Sequence, residues 1–156
     1  MAEWDVLMKA LDTAHWELSE ALQGLPNADA WKRPHPRLLS VGEQVAHIVY
    51  WEAQSFLGAS AVSPLIVEVS RYYTATVDQS FELPIGADAL SGEVKRVHEE
   101  CRAAFLAQSP DLDAKNPHRG DWTWRSALEY QAFHVAYHTG QIYAVRHLLG
   151  HQTVDN

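Results

Sequence analysis

The sequence predicts an all-α fold, a four-helix bundle with a long crossover between its second and third helices. Three observations carry this. Four long segments repeat apolar residues at three- and four-residue spacing, the period of a helix with a buried face. Helix start and stop signals bracket those segments. The connection between the second and third is long, whereas antiparallel neighbours need only short loops; a parallel pair needs a crossover along the bundle.

The first helix should cover about Trp4 to Leu22, with Trp4, Leu7, Met8, Leu11, Leu18 and Leu22 on one stripe, before Gly24 and Pro26 stop it. A loop carrying Pro34 and Pro36 follows, with a basic cluster of Lys32, Arg33, His35 and Arg37 that could attract a carboxylated cofactor. The second helix opens on Ser40-Val41-Gly42-Glu43, a capping box in which serine and glutamate satisfy free backbone donors reciprocally. It runs to about Leu57, and its two apolar stripes predict burial on two sides. Residues 59–85, with Pro64 and Pro84, admit either a short helix or a strand-like piece. The third helix should span about Asp88 to Gln108, with Leu90, Val94, Val97, Cys101, Ala104 and Phe105 inward. Thr123 is a good N-cap for a fourth helix reaching about Leu149, before Gly150. Leu128, Val135, Ile142, Val145, Leu148 and Leu149 mark its buried side.

The 156 residues suit a single domain, 1–156, with a substantial core. A formal net charge of -8 argues against a nucleic-acid partner, because the phosphate backbone demands a basic footprint. The one cysteine, Cys101, excludes an intrachain disulfide framework and fits a reducing compartment. Its place on an apolar stripe marks an inert buried thiol rather than a nucleophile. Met1 to Asp12 does not read as a signal peptide, and the apolar run from Val41 to Leu57 is interrupted by Glu43, Gln44, His47, Glu52 and Gln54. No membrane partner and a cytoplasmic location are therefore expected.

The chemistry concentrates in histidines. His134 and His138 are four residues apart, so on a helix both imidazoles leave one face about 6 Å apart along the axis, a two-point clamp for a divalent ion. His47, in another helix, is the candidate third point. Three passages carry a resemblance: Ser40 to Ile48, a capped helix with its histidine; His134 to Ile142, reading H-x-x-x-H-x-G-Q-I; and Thr123, eleven residues before His134. In these the chain resembles the DinB/YfiT-like superfamily of metal-binding four-helix bundles. The resemblance implies a metal site of His47, His134 and His138 holding one divalent ion, usually nickel or zinc and sometimes iron, with no residue assigned a catalytic role. It further implies a small-molecule substrate, a low-molecular-weight thiol among the candidates, and a homodimer. The expected function is a metal-dependent enzyme, a thiol-dependent S-transferase or a hydrolase; the alternative is a non-catalytic metal-binding stress-response or sensor protein.

Three imidazoles would leave a position open for water or substrate, and each should donate its second nitrogen hydrogen to a partner. Glu43, Gln44 and Gln141 are placed for that by helical spacing, with Gln141 preferred, and Gly140 would let a neighbouring helix approach. Trp51, Trp122 and Trp124 read as packing residues, with Trp51 able to wall the pocket. Tyr50, Tyr130 and Tyr137 offer polar tips there. His15 is expected as a satisfied core histidine, with the metal pocket as the alternative. His98 should face solvent or pair with Glu99 or Glu100. His147 and His151 repeat the four-residue spacing where the helix is ending, and carry no site.

Overall fold

The computed structural model describes residues 3–67 and 79–155. Four helices dominate them: α1 (Glu3–Leu22), α2 (Val41–Phe56), α3 (Ala87–Gln108) and α4 (Trp124–Leu148), with single 3-10 turns at Asn27–Asp29 and Gly58–Ser60. No strand occurs among the described residues, only an isolated bridge between Lys115 and Thr123. The four boundaries fall within a residue of those expected.

Side-chain contacts fix the helix directions. Glu3 meets Arg125, Glu17 meets Tyr143 and Ala21 meets Arg146, so α1 and α4 run parallel. Glu52 meets His98 and Phe56 meets Phe105, so α2 and α3 also run parallel. Gln131 reaches Ser55 while His134 reaches His47, which makes α2 and α4 antiparallel. A parallel α2–α3 pair requires the chain to return between them. Residues 68–78 of that expected crossover lie outside the described residues.

Local signals explain the ends. Glu43 N donates to Ser40 Oγ at 3.2 Å and Ser40 N donates to Glu43 Oε2 at 2.8 Å, completing the capping box. Arg33 also forks onto the Glu43 carboxylate at 2.8 and 2.6 Å, and Phe81 N donates to it at 3.1 Å. Glu43 is thus a structural anchor, not a partner for His47, and the basic loop spends Arg33 on it rather than on a cofactor. Ser40→Ala is expected to cost about 1–2 kcal/mol, because the serine is fully buried and Glu43 N would lose its acceptor. Urea unfolding would measure this as a lowered midpoint at constant slope.

Loop 23–40 clamps two helix starts together. Trp31 lies against Gly42, where a Cβ would come within 2.5 Å of the indole, and its Nε1 donates to Ile85 O at 2.7 Å. Asn27 Oδ1 accepts from Ala87 N at 2.7 Å, satisfying a free donor of α3. At the other end of α1, buried Arg146 donates to Ala21 O and Gln23 O at 2.7 and 2.8 Å, capping carbonyls that have no helical partner.

The core gathers Leu11 and Leu18, Val45, Ile48 and Ala53, Leu90 and Val97, and Leu128, Val135 and Ile142 from the four helices. Each fully buried Leu or Ile contributes about 1.5–3 kcal/mol of transfer free energy. Every residue of α2 is buried except His47, Trp51 and Gln54. Those three lie at i, i+4 and i+7, one stripe on an otherwise sealed central helix. Leu148 departs from its expected burial: it is 64% exposed, because it lies on the outward stripe of α4 with Tyr137, Gln141 and Ala144 while Val145 and Leu149 turn to the core.

Candidate metal centre

The open stripe of α2 faces α4 at its histidines. His47 and His134 approach with Nε2 to Nε2 at 3.0 Å. Ring centroids of His47, His134 and His138 are mutually separated by 4.9, 4.7 and 4.6 Å. One ligand-capable atom from each lies within 4.8 Å of the others. The three ring planes are inclined at 50°, 67° and 85°, so in-plane lone pairs can meet near one point. No fourth His, Cys, Asp or Glu joins this group among the described residues.

Burial holds two of the three rings neutral. It pushes His134 down to about 3, helped by the nearby His138 and His47 rings, and it lowers His138 against an opposing hydrogen bond from Gln141. Neutral imidazoles are the form in which histidine ligates metal. The Nδ1 atoms of His134 and His138 are buried with no hydrogen-bond partner. Such unfilled positions cost about 1–3 kcal/mol each. A set of three imidazole nitrogens suits zinc, nickel or iron and suits magnesium or calcium poorly. The donor set therefore fits a divalent ion of the borderline class.

The surroundings partly match expectation. Trp51 packs edge-on to His47 at 6.4 Å, walling one side. Tyr130 stacks on His134 at 5.5 Å and Tyr137 meets His138 edge-on at 5.1 Å, while Tyr50 is buried against Trp51. Gln141 lies beside His138 and donates to Tyr137 Oη at 3.1 Å. Gln44 donates instead to Leu39 O, because the helix start needs it there. Gly140 is exposed with open space around it, so no neighbouring helix exploits it. Sequence reasoning missed Gln131, which is fully buried and donates to Trp51 O at 3.1 Å and Ser55 Oγ at 2.8 Å. It pins α4 to α2 one turn before His134; a lone glutamine inside the apolar run of α4 was the available signal.

A second cluster corrects the expectation for His98 and bears out the one for His15. His15 Nε2 lies 2.6 Å from Glu52 Oε2, and His98 Nδ1 lies 2.7 Å from Glu52 Oε1. His98 Nε2 reaches Asp12 Oδ1 at 3.0 Å. His98 is thus buried between α1 and α2 rather than facing solvent or pairing with Glu99 or Glu100. His15 is the satisfied core histidine, turned away from the three-histidine group. The cluster meets the distance requirement for a metal, but its two rings are stacked at 3.7 Å with planes only 17° apart. Near-parallel planes send their lone pairs to separate points, and each addresses its own oxygen of Glu52. We read it as a hydrogen-bonded clamp. Both rings line an open groove of about 600 Å³ between α1 and α3, which does not include His47, His134 or His138.

The remaining histidines hold structure. His147 contacts Thr153, and His151 contacts Asp29 and Arg146, in different directions. Burial raises the Cys101 thiol well above its ordinary value. Ellman's reagent is expected to leave it untouched in the native protein at pH 8 and to react with one thiol per chain in urea.

No helix among the described residues is long and apolar enough to cross a membrane. No curated protein and no solved structure matches the chain. The sequence model of the DinB superfamily matches residues 10–142, a span holding all three site histidines, the Ser40 cap and most of each helix. The chain belongs to the DinB superfamily.

Proposed function

We propose that His47, His134 and His138 hold one divalent ion, nickel or zinc, and that the protein is a metal-dependent enzyme acting on a small molecule, as a thiol-dependent S-transferase or a hydrolase. The observation that carries this reading is the convergence of three imidazoles, two of them held neutral by burial, with no fourth protein ligand among the described residues. A bound divalent ion with an open position supplies Lewis acidity and lowers the pKa of a thiol or water placed there.

The protein's own groups would do the rest. His134 and His138 are fixed by their helical spacing and buried neutral, so each can donate a lone pair to a metal ion without first losing a proton. Gln131 holds α4 to α2 and so keeps His134 in register with His47. Tyr130, Trp51 and Tyr137 cover the rings and limit water to the open side. A sealed, four-ligand centre would favour the non-catalytic alternative; the partly exposed His47 argues for access.

The test is metal content after tag-free purification under metal-replete conditions. Wild type should carry about one ion per chain, and His47→Ala, His134→Ala and His138→Ala should each lose it. Metal-free wild type would end the reading, and full occupancy in all three variants would end the ligand assignment. Turnover of electrophiles with added thiols, or of activated esters with water, then separates the enzyme from the non-catalytic alternative.

A further inference from the structure

The geometry points to Arg119 as a specificity-determining residue that binds a carboxylate or similar anion on a ligand whose other end reaches the three-histidine centre. Its guanidinium carbon lies 4.7 Å from the ring centroid of Trp51 and 4.4 Å from that of Trp122. Both rings lead to the centre: Trp51 packs on His47, and Trp122 packs on Tyr130, which stacks on His134.

Exposed Arg37 also shows no acidic partner among the described residues, so what sets Arg119 apart is the missing acid together with the two indole faces that hold it. Arg33, Arg96, Arg102 and Arg125 each pair with carboxylates, and Arg146 donates to carbonyls. The chain carries 20 acidic residues, yet no carboxylate pairs with Arg119 among the described residues. Indole faces hold a guanidinium through its charge and leave its N–H edge, a planar fork matched to a carboxylate, free to donate.

The residue is also held in place before any ligand arrives. Asn116 N donates to Trp122 O at 2.8 Å and Trp122 N donates to Arg119 O at 3.2 Å. Asn116, 1% exposed, ties this turn to Ser55 O at 2.9 Å, near the end of α2. Gly120, at φ +64°, allows the reversal that presents Arg119. A preorganised cation on a rigid turn loses little entropy on binding an anion.

This inference rests on the metal reading for where the far end of the ligand lies. It is tested with cobalt-loaded protein and two hydroxamates of equal metal-binding power: the monohydroxamate of succinic acid, which carries a carboxylate, and neutral butyrohydroxamate. Wild type should bind the carboxylated probe roughly tenfold more tightly, seen in the cobalt absorption spectrum. Arg119→Gln should keep full cobalt content and butyrohydroxamate affinity but lose the preference, and Arg119→Lys should restore part of it. Equal affinities in wild type, or an undiminished preference in Arg119→Gln, overturn the role of Arg119. Failure to load cobalt overturns the metal reading instead. Arg119 is then judged on metal-free protein, by titrating glutarate against tryptophan fluorescence. A saturable response lost in Arg119→Gln supports the anion site; no response, or the same response in both proteins, overturns it.

Discussion

Glu52→Gln is expected to destabilise the protein by about 3 kcal/mol, the range for removing one member of a buried charged network. Glu52 is 1% exposed and accepts from both His15 and His98. Burial alone would push its carboxyl up. The charge and hydrogen bond of His15, followed by those of His98, outweigh burial and hold it down to about 2. An amide in its place offers one acceptor oxygen and turns an NH2 group toward the other ring. At about 2–4 °C per kcal/mol for a chain of this size, the melting temperature should fall by roughly 6–12 °C. A variant that melts like wild type would show that the clamp contributes nothing.

The same network sets a pH profile. The Glu52 carboxyl is lowered from 4.5 to about 2, so the unfolded chain takes up that proton first. Its stabilisation is complete above about pH 4.5 and is lost as the pH falls toward 2. His98 moves the opposite way: burial lowers it, but Glu52 and Asp12 together raise it above 6.5. Its contribution is complete below 6.5 and is lost as the pH rises through the raised value. Urea midpoints between pH 3 and 9 should therefore peak near pH 5–6 for this network, with both limbs flattened in Glu52→Gln.

Metal-replete wild type is expected to melt about 10 °C above its metal-free form, with the difference abolished in His134→Ala. A ligand that binds only the folded state at a thousand times its Kd stabilises it by about 4 kcal/mol. His134 is central to the prediction because it is the most buried of the three, at 4% exposed, and its Nε2 lies 3.0 Å from His47 Nε2. Removing it leaves His47 and His138 with a cavity between them, and metal affinity should fall at least 100-fold by competition with a chromophoric chelator. His134→Ala also relieves an unsatisfied ring nitrogen, so the metal-dependent shift, not the stability of the metal-free protein, is the quantity compared. An unchanged metal-dependent shift in the variant would remove His134 from the ligand set.

Much of the fold was legible because its signals are local. Ser40 and Glu43 cap one another across three residues, and Thr123 accepts from Ser126 N in the same way. The apolar period placed α1, α3 and α4 within a residue of their observed bounds. The His134–His138 pair was equally legible, since a four-residue spacing on a helix fixes which face both rings share.

What stayed hidden depends on residues far apart in sequence. Glu52 reads along the chain as a polar break in an apolar run, and only the approach of α1 and α3 to α2 turns it into the acceptor for His15 and His98. His98 was expected to find the acids beside it, Glu99 and Glu100, but those point outward from α3 while Glu52 and Asp12 come from other helices. Arg33 looked like a free loop cation until the fold laid it on Glu43. The two histidine clusters show the division most clearly. Sequence spacing determined that His134 and His138 share a face, and the family resemblance implied His47 as their third member. Only the tertiary structure decided that those rings converge while His15 and His98 stack, because the angle between two rings on different helices is set by how the helices pack, and no local period encodes it.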